Sequence, residues 1–241
     1  MGPDDLALKI NEIREATDGQ IPIQLKLGAA RVYDDVRMAA KTGPDSIYMD
    51  GMEGGTGAGP HLATEDTGVP GIAAIRQARQ ALDDVGMSGR ISLVYAGGIR
   101  NGADVAKAIA LGADAVAIGH SVMMALNCNK DIPEADYEKE MGVEAGYCYH
   151  CHTGRCPVGV ATQDPVLRKR LDPDEAAERL YNFLHTLTIE AQLFARACGK
   201  TNIHSLEPED LAALTLEASA CAQVPMAGTQ YTVGRPDMTR F

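Results

Sequence analysis

Four of the six cysteines lie between positions 128 and 156, and three of them sit in Cys148-Tyr149-His150-Cys151-His152-Thr153-Gly154-Arg155-Cys156-Pro157. Thiolates separated by two and then four residues can converge on one metal centre, and Pro directly after a Cys recurs at iron–sulfur sites. Zinc is the other reading, because His150 and His152 could join the thiolates in a tetrahedral site. Six Cys in 241 residues is too sparse for a disulfide scaffold, and in a reducing compartment a cluster of this kind favours metal over disulfide. Cys198 and Cys221 fall on apolar helix faces and are expected in the core.

Two glycine-rich segments and one lysine add a second kind of chemistry. Ala96-Gly97-Gly98-Ile99-Arg100-Asn101-Gly102 ends a predicted strand and opens a predicted helix, and Ala117-Ile118-Gly119-His120 ends the next strand. Glycines let backbone N–H groups approach an anion closely, and a helix N-terminus adds its positive dipole end. In α/β barrels the phosphate often sits on the loops after the last two strands; the plainer reading is that these glycines only turn a strand into a helix. Asp50-Gly51-Met52-Glu53-Gly54-Gly55-Thr56-Gly57-Ala58-Gly59-Pro60 holds five glycines in nine residues, which suits backbone lying against a flat ring or a closing loop, or simply a flexible surface loop. Lys26 is a single cation near the end of a strand expected to be buried on both faces, where a ligand anion or a flavin carbonyl region would partner it. A snorkelling or ion-paired Lys26 is the alternative, and Arg100 is a further candidate for a carboxylate or phosphate.

These residues need a scaffold, and the first half of the chain supplies one. Strands are predicted at 21–27, 46–50, 91–96 and 114–118, with amphipathic helices at 34–42, 70–85 and 102–111 that stop at Gly43, Gly86 and Gly112. Four successive βα units with apolar strands fit a parallel α/β sheet, barrel or doubly wound. A full barrel takes about 250 residues, so residues 1–126 hold half of one at most. The opening segment 3–17 reads as a crossover helix after an absent strand, which predicts a truncated N-terminus or a second chain carrying the other half. Residues 127–163 read as a Cys-rich loop, and 164–241 as a helical extension. In that extension a helix starts at Asp172-Pro173, with Leu180, Phe183, Leu184, Leu187, Ile189 and Leu193 on its buried face. A second helix runs from Ser205 to about Ala222, and the last twenty residues form an irregular tail.

Charge and hydropathy exclude other classes. Lys and Arg number 22 against 33 Asp and Glu, a net charge of −11 with no basic run, so nucleic acid is not an expected partner. No apolar stretch reaches the ~18 to 20 residues of a spanning helix, and Met1-Gly2-Pro3-Asp4-Asp5 lacks the features of a signal peptide. No membrane association and a cytoplasmic location are expected.

The segments Gly51-Met52-Glu53-Gly54-Gly55-Thr56-Gly57-Ala58, Gly97-Gly98-Ile99 with Gly119, and Cys151-His152-Thr153-Gly154-Arg155-Cys156-Pro157-Val158-Gly159-Val160-Ala161-Thr162-Gln163 resemble, in that order, the FMN-binding synthase domain of glutamate synthase. Beyond Gln163, Cys198-Gly199-Lys200-Thr201-Asn202 and Leu206-Glu207-Pro208-Glu209-Asp210-Leu211 are similar to the archaeal-type synthase and to the large subunit of N-methylglutamate synthase. The resemblance implies the C-terminal half of an FMN-linked (β/α)8 barrel with an iron–sulfur cluster, reducing a 2-imino acid formed from 2-oxoglutarate and an amine. By position it implies Gly97, Gly98 and Gly119 at the FMN phosphate, His120 as a further cofactor-binding residue, Lys26 facing flavin or 2-oxo acid, Gly54 and Gly55 bordering the substrate, and Lys26 and Glu53 as catalytic candidates. It gives Cys128, Cys151 and Cys156 as ligands of a three-iron cluster, while an insertion carrying Cys148 allows a four-iron cluster. No amidotransferase nucleophile is present, so ammonia, glutamine-derived or free, or methylamine would come from outside, with amidotransferase-like and electron-donor subunits in a hetero-oligomer. Two rival expectations are a flavin-free phosphate-binding barrel such as an isomerase, and a zinc-stapled, non-catalytic assembly subunit.

Overall fold

Short β-branched and apolar runs form β1 (Gln24–Gly28), β2 (Ser46–Asp50), β3 (Ser92–Ala96) and β4 (Ala115–Ala117) in the computed structural model, which describes residues 2–55, 59–128, 139, 142, 148 and 150–235. The strands are parallel and ordered β1-β2-β3-β4, with Gln24 opposite Ser46 and Ser46 opposite Ser92. A doubly wound sheet reverses its order about one strand, whereas a barrel winds one way. The consecutive order is therefore that of four units of a (β/α)8 barrel. The helices are α1 (Pro3–Ala16), α2 (Val32–Lys41), α3 (His61–Asp66), α4 (Gly71–Asp84), α5 (Gly102–Ala110), α6 (His120–Ala125), α7 (Pro173–Ala197) and α8 (Leu216–Ala222). No helix among the described residues is long and apolar enough to cross a membrane.

The described residues gather into two compact units, one of Met1–Gly54, Thr67–Ala117 and Glu190–Phe241, the other of Gly55–Asp66 and Ile118–Ile189. In the first, α2 and α4 pack against each other and against β2 and β3. Ile47, Met49 and Leu93 point to one side of the sheet and are fully buried, each burial stabilising by about 1.5–3 kcal/mol. Tyr48, Asp50 and Val94 alternate to the other face and are only half-buried, and β1 and β4 are largely exposed at the sheet edges. Burial of every strand on both faces, expected from the apolar runs, is thus not found, because four strands do not close a ring.

Helix ends follow local chemistry. Asn101 caps α5 by accepting from the Asp104 N–H at 3.0 Å. At its far end Arg76 Nη1 donates to the Leu111 carbonyl at 3.2 Å, and Arg79 donates to the Gly112 carbonyl while pairing with Asp114 at 2.8 Å. These two guanidinium groups tie α4 to the negative end of α5.

The C-terminal segment of this unit packs on the same helices, a 3-10 turn at Ile203–Ser205 against α5 and α8 against α4. The continuous helix expected from Ser205 to Ala222 is replaced by a 3-10 turn at Pro208–Asp210, an extended stretch in which Ala213 bridges Met226, and then α8, capped by the Thr215 hydroxyl. Lys200 fixes the turn, its Nζ 2.8 Å from Glu207 and 2.5 Å from Asp210. Along α7 the buried positions are Ala176, Leu187, Ala191 and Ala195. Of the larger apolar residues expected there, Leu180 and Phe183 are half-buried, and Leu184, Ile189 and Leu193 are exposed. The buried positions are thus mostly small alanines, and the bulkier apolar side chains are more exposed.

Candidate functional site

The C-terminal edge of the sheet collects most of the residues singled out by sequence in the first unit. Lys26 lies opposite Tyr48, with its Nζ 2.8 Å from Asp50 Oδ2 and 5.0 Å above the Tyr48 ring. Its side chain is 61% exposed, so it is ion-paired on an edge strand rather than buried. The hydrogen bond to Asp50, together with the attraction of that carboxylate, raises the Lys26 pKa above its ordinary value, against a smaller desolvation effect.

The loops after β2 and β3 interlock through their backbones. Gly51 N–H donates to the Ala96 carbonyl and Gly54 N–H to the Gly51 carbonyl, both at 2.9 Å. Gly97 (φ +112°) lies so close that a Cβ there would stand 3.2 Å from the backbone nitrogens of Gly51 and Gly54. Gly98 (φ +68°) rests on the Glu53 side chain, a Cβ there being 3.1 Å from Glu53 Cβ. Both glycines are therefore required by the contact of two loops.

Glu53 faces the start of α4, where both carboxylate oxygens lie 3.1 Å from the Gly71 N–H that donates to them. Tyr95, buried beneath, donates to the Gly97 carbonyl at 2.8 Å. Its phenol is pushed well above its ordinary pKa, first by burial and then by the negative charge of Glu53. A Cβ on Gly71 would overlap the Tyr95 hydroxyl, so the first residue of α4 has to be glycine.

Much of the hydrogen-bonding capacity at the start of α5 is in use. Gly102 N–H donates to Glu190 at 2.8 Å, and Arg100 gives its N–H and Nε–H to Asp104 at 3.1 and 3.2 Å. Beside this turn opens a cleft of about 420 Å³, whose lining includes Glu53, Tyr95, Gly98, Ile99, Arg100 and Lys107. Gly119 and His120 belong to the second unit, at the start of α6, and both are exposed. Open space surrounds the position of a Gly119 Cβ. Gly55 is likewise exposed, and Thr56, Gly57 and Ala58 lie outside the described residues.

In the second unit all four clustered cysteines are free thiols: Cys156 is buried, Cys128 and Cys148 are half-buried, and Cys151 is exposed in a 3-10 turn at His150–His152. Burial raises the pKa of Cys128, and the nearby thiols of Cys151, Cys156 and Cys148 raise it further. Cys148 is also raised, by burial first and by Cys151 and Cys156, against a backbone hydrogen bond from His150. The four sulfurs thus share one electrostatic neighbourhood, although among the described residues no three His, Cys, Asp or Glu side chains converge as metal ligands. The loop is braced: Thr153 donates to the His150 carbonyl at 2.9 Å, Arg170 donates to the Pro157 carbonyl at 2.8 Å, and the Thr162 hydroxyl donates to the Gly154 carbonyl. Most of the insertion between Cys128 and Cys151 lies outside the described residues. Cys198, expected in the core, is exposed, and Cys221 is half-buried.

Asp50, Tyr95 and Glu190 were not legible as site residues. Asp50 had a signal, since it shares the face of Tyr48 two residues on along β2 and so borders Lys26. Tyr95 had the alternation of β3 alone, and nothing local marked Glu190 as a partner of Gly102, 88 residues away.

Comparison with known proteins bears on this arrangement. The conserved region of glutamate synthase matches residues 1–134 and 138–201. A glutamate synthase large subunit-like protein of Rhizobium meliloti is 53% identical over 97% of this chain, which covers 53% of that protein. Archaeal glutamate synthase (NADPH) of Archaeoglobus fulgidus is 37% identical over 84% of the chain, which covers 37% of it. The chain thus spans about half, or less, of the length of these relatives. Among solved structures, a variant of flavocytochrome b2 aligns over 95% of this chain and 42% of its own at a TM-score of 0.51 and 20% identity. A lactate oxidase from Pediococcus acidilactici aligns over 86% and 39% at 0.50 and 18%. Those two likenesses speak to the barrel fold alone. With the family's conserved region running from the first βα unit through the cysteine loop and into the C-terminal extension, the chain belongs to the glutamate synthase family.

Proposed function

We propose that this chain is the synthase portion of a glutamate synthase-type flavoprotein oxidoreductase, which uses FMN and an iron–sulfur cluster to reduce the 2-imino acid of 2-oxoglutarate and ammonia to L-glutamate. The observation that carries the reading is the meeting of Lys26 and two interlocked glycine loops at the C-terminal mouth of a parallel half barrel. Active sites of such barrels lie on that face. The names of the curated relatives support glutamate, rather than N-methylglutamate, as product.

The residues suit the groups implied. For FMN, Lys26 offers an exposed cation on a sheet face whose Tyr48, Asp50 and Val94 are only half-buried. When bound, FMN supplies the hydride chemistry and the cluster supplies electrons. The chain's own residues do the rest. Lys26 binds and orients an anionic group through the N–H bonds that Asp50 does not take. Glu53 and Tyr95 hold the two loops in place through Gly71 and Gly97, so Glu53 acts on the loop, by way of α4. Cys128, Cys148, Cys151 and Cys156 would supply the thiolate donors of an iron–sulfur cluster, whose binding displaces their protons. Functionally we divide the chain into half barrel (1–126), cluster segment (127–163) and extension (164–241). Ammonia and electrons come from amidotransferase-like and electron-donor subunits, NADPH being named for the archaeal relatives.

The test is an anaerobic visible spectrum with iron, sulfide, zinc and FMN counted on one sample. Iron and sulfide with FMN support the reading. Iron and sulfide without FMN support the cluster and refute flavin binding by this chain alone. Zinc alone overturns the electron-transfer role and favours a stapled assembly subunit.

A further inference from the structure

We propose that Asp50 is a positioning residue for Lys26, fixing the direction of its ammonium at the mouth of the half barrel and tying it to the glycine turn after β2. The register makes the pair possible. Lys26 lies opposite Tyr48 and Gly28 opposite Asp50, so Lys26 and Asp50 are diagonal neighbours on one face of the sheet. The long lysine side chain spans that diagonal, its Nζ reaching Asp50 Oδ2 at 2.8 Å. Gly28, directly across from Asp50, has no side chain to compete for the carboxylate.

The carboxylate is the anchored partner, 22% exposed against 61% for the lysine. Its Oδ2 takes the ammonium at 2.8 Å, while its Oδ1 abuts Gly54 so closely that a Cβ there would overlap it. One side chain therefore reads the position of both the strand-borne cation and the turn. The Tyr48 ring, 5.0 Å below the ammonium, closes a further side, and Asp50 and Tyr48 are the charged and titratable groups that act on Lys26. An ammonium has three N–H bonds. With Asp50 and Tyr48 fixing its attitude, the remaining donors face outward.

The inference rests on the proposed function in that the anion met by those donors is taken to be a substrate carboxylate or the flavin. Its test is separable. Amine acetylation of the full chain at about pH 8.5, resolved by residue with Lys107 as internal reference, reads the free-amine fraction of Lys26. Asp50→Asn should raise Lys26 labelling relative to Lys107 by roughly two- to fivefold. About 0.5 M KCl should raise it in the wild-type chain, because an exposed pair is screened; this measurement decides the matter if the variant does not fold. Added 2-oxoglutarate should protect Lys26, at a different midpoint concentration in Asp50→Asn. Labelling of Lys26 that responds to neither the substitution nor salt overturns the proposal. Labelling that responds to both, with no protection by 2-oxoglutarate, sustains the pairing and overturns the assignment of Lys26 to substrate.

Discussion

Replacing Gly97 with Ala tests whether the two loops are held by backbone contact. Gly97 has φ +112°, and a Cβ there would stand 3.2 Å from the Gly51 and Gly54 nitrogens and 3.3 Å from the Gly51 oxygen. These neighbours are backbone atoms and cannot rotate away. A residue forced into such a φ costs about 1–3 kcal/mol, and crowding adds about 1–3 kcal/mol. At about 2–4 °C of Tm per kcal/mol for a chain of this size, the variant should melt at least about 4 °C below wild type. Thermal unfolding followed by circular dichroism, without added flavin, reads the difference. Gly119→Ala is the control, because its φ is −110° and nothing lies within 4 Å of the added carbon. Its Tm should stay within about 1 °C of wild type. A Gly97→Ala chain that melts with wild type, or a Gly119→Ala chain that falls as far, refutes the argument.

Three further outcomes are expected. Glu53→Ala removes the acceptor of the Gly71 N–H and should cost about 0.5–2 kcal/mol, with Glu53→Gln milder; equal denaturant midpoints for Glu53→Ala and wild type would contradict the loop-holding role. Asp45 accepts the Ile23 N–H at 2.7 Å, which with Arg14 holds its carboxyl below the usual carboxylate range. A depressed folded pKa stabilises above the unfolded value and loses that contribution as pH falls through the folded one. Asp45→Asn should therefore lower Tm at neutral pH, and the gap should narrow in acid; parallel Tm curves for the two chains would sink this. Finally, Cys151→Ala should abolish iron–sulfur absorbance, and unchanged iron and sulfide content would remove Cys151 from the ligand set.

The strands and their connecting helices were legible because apolar runs and helix-ending glycines are local signals: β2 spans the predicted 46–50, and α2, α4 and α5 stop before Gly43, Gly86 and Gly112. Exposure was less legible. The run around Lys26 reads as buried on both faces only if other strands flank it, and an edge strand has one neighbour. The bulky residues of α7 suggested its buried face, yet the buried positions are Ala176, Ala191 and Ala195 with Leu187, because a small side chain adds little to an apolar periodicity. Sequence marked Gly97 and Gly98 as special but left the reason open. Their facing partners, the backbone of Gly51 and Gly54 and the side chain of Glu53, lie more than forty positions earlier. Asp50 was hidden for a related reason, since its role depends on the register between two strands.

The hydrogen bond from Gly102 to Glu190 joins positions 88 residues apart. At synthesis rates of about 5–20 residues per second, α5 waits roughly 4 to 18 s for this acceptor to be made. The nascent half barrel therefore passes through an interval in which its sheet can form while the first N–H of α5 has only water for a partner. Shortening the chain before Glu190 would make that interval permanent, so the last quarter of the polypeptide serves as a late closing stitch for a fold begun in the first half.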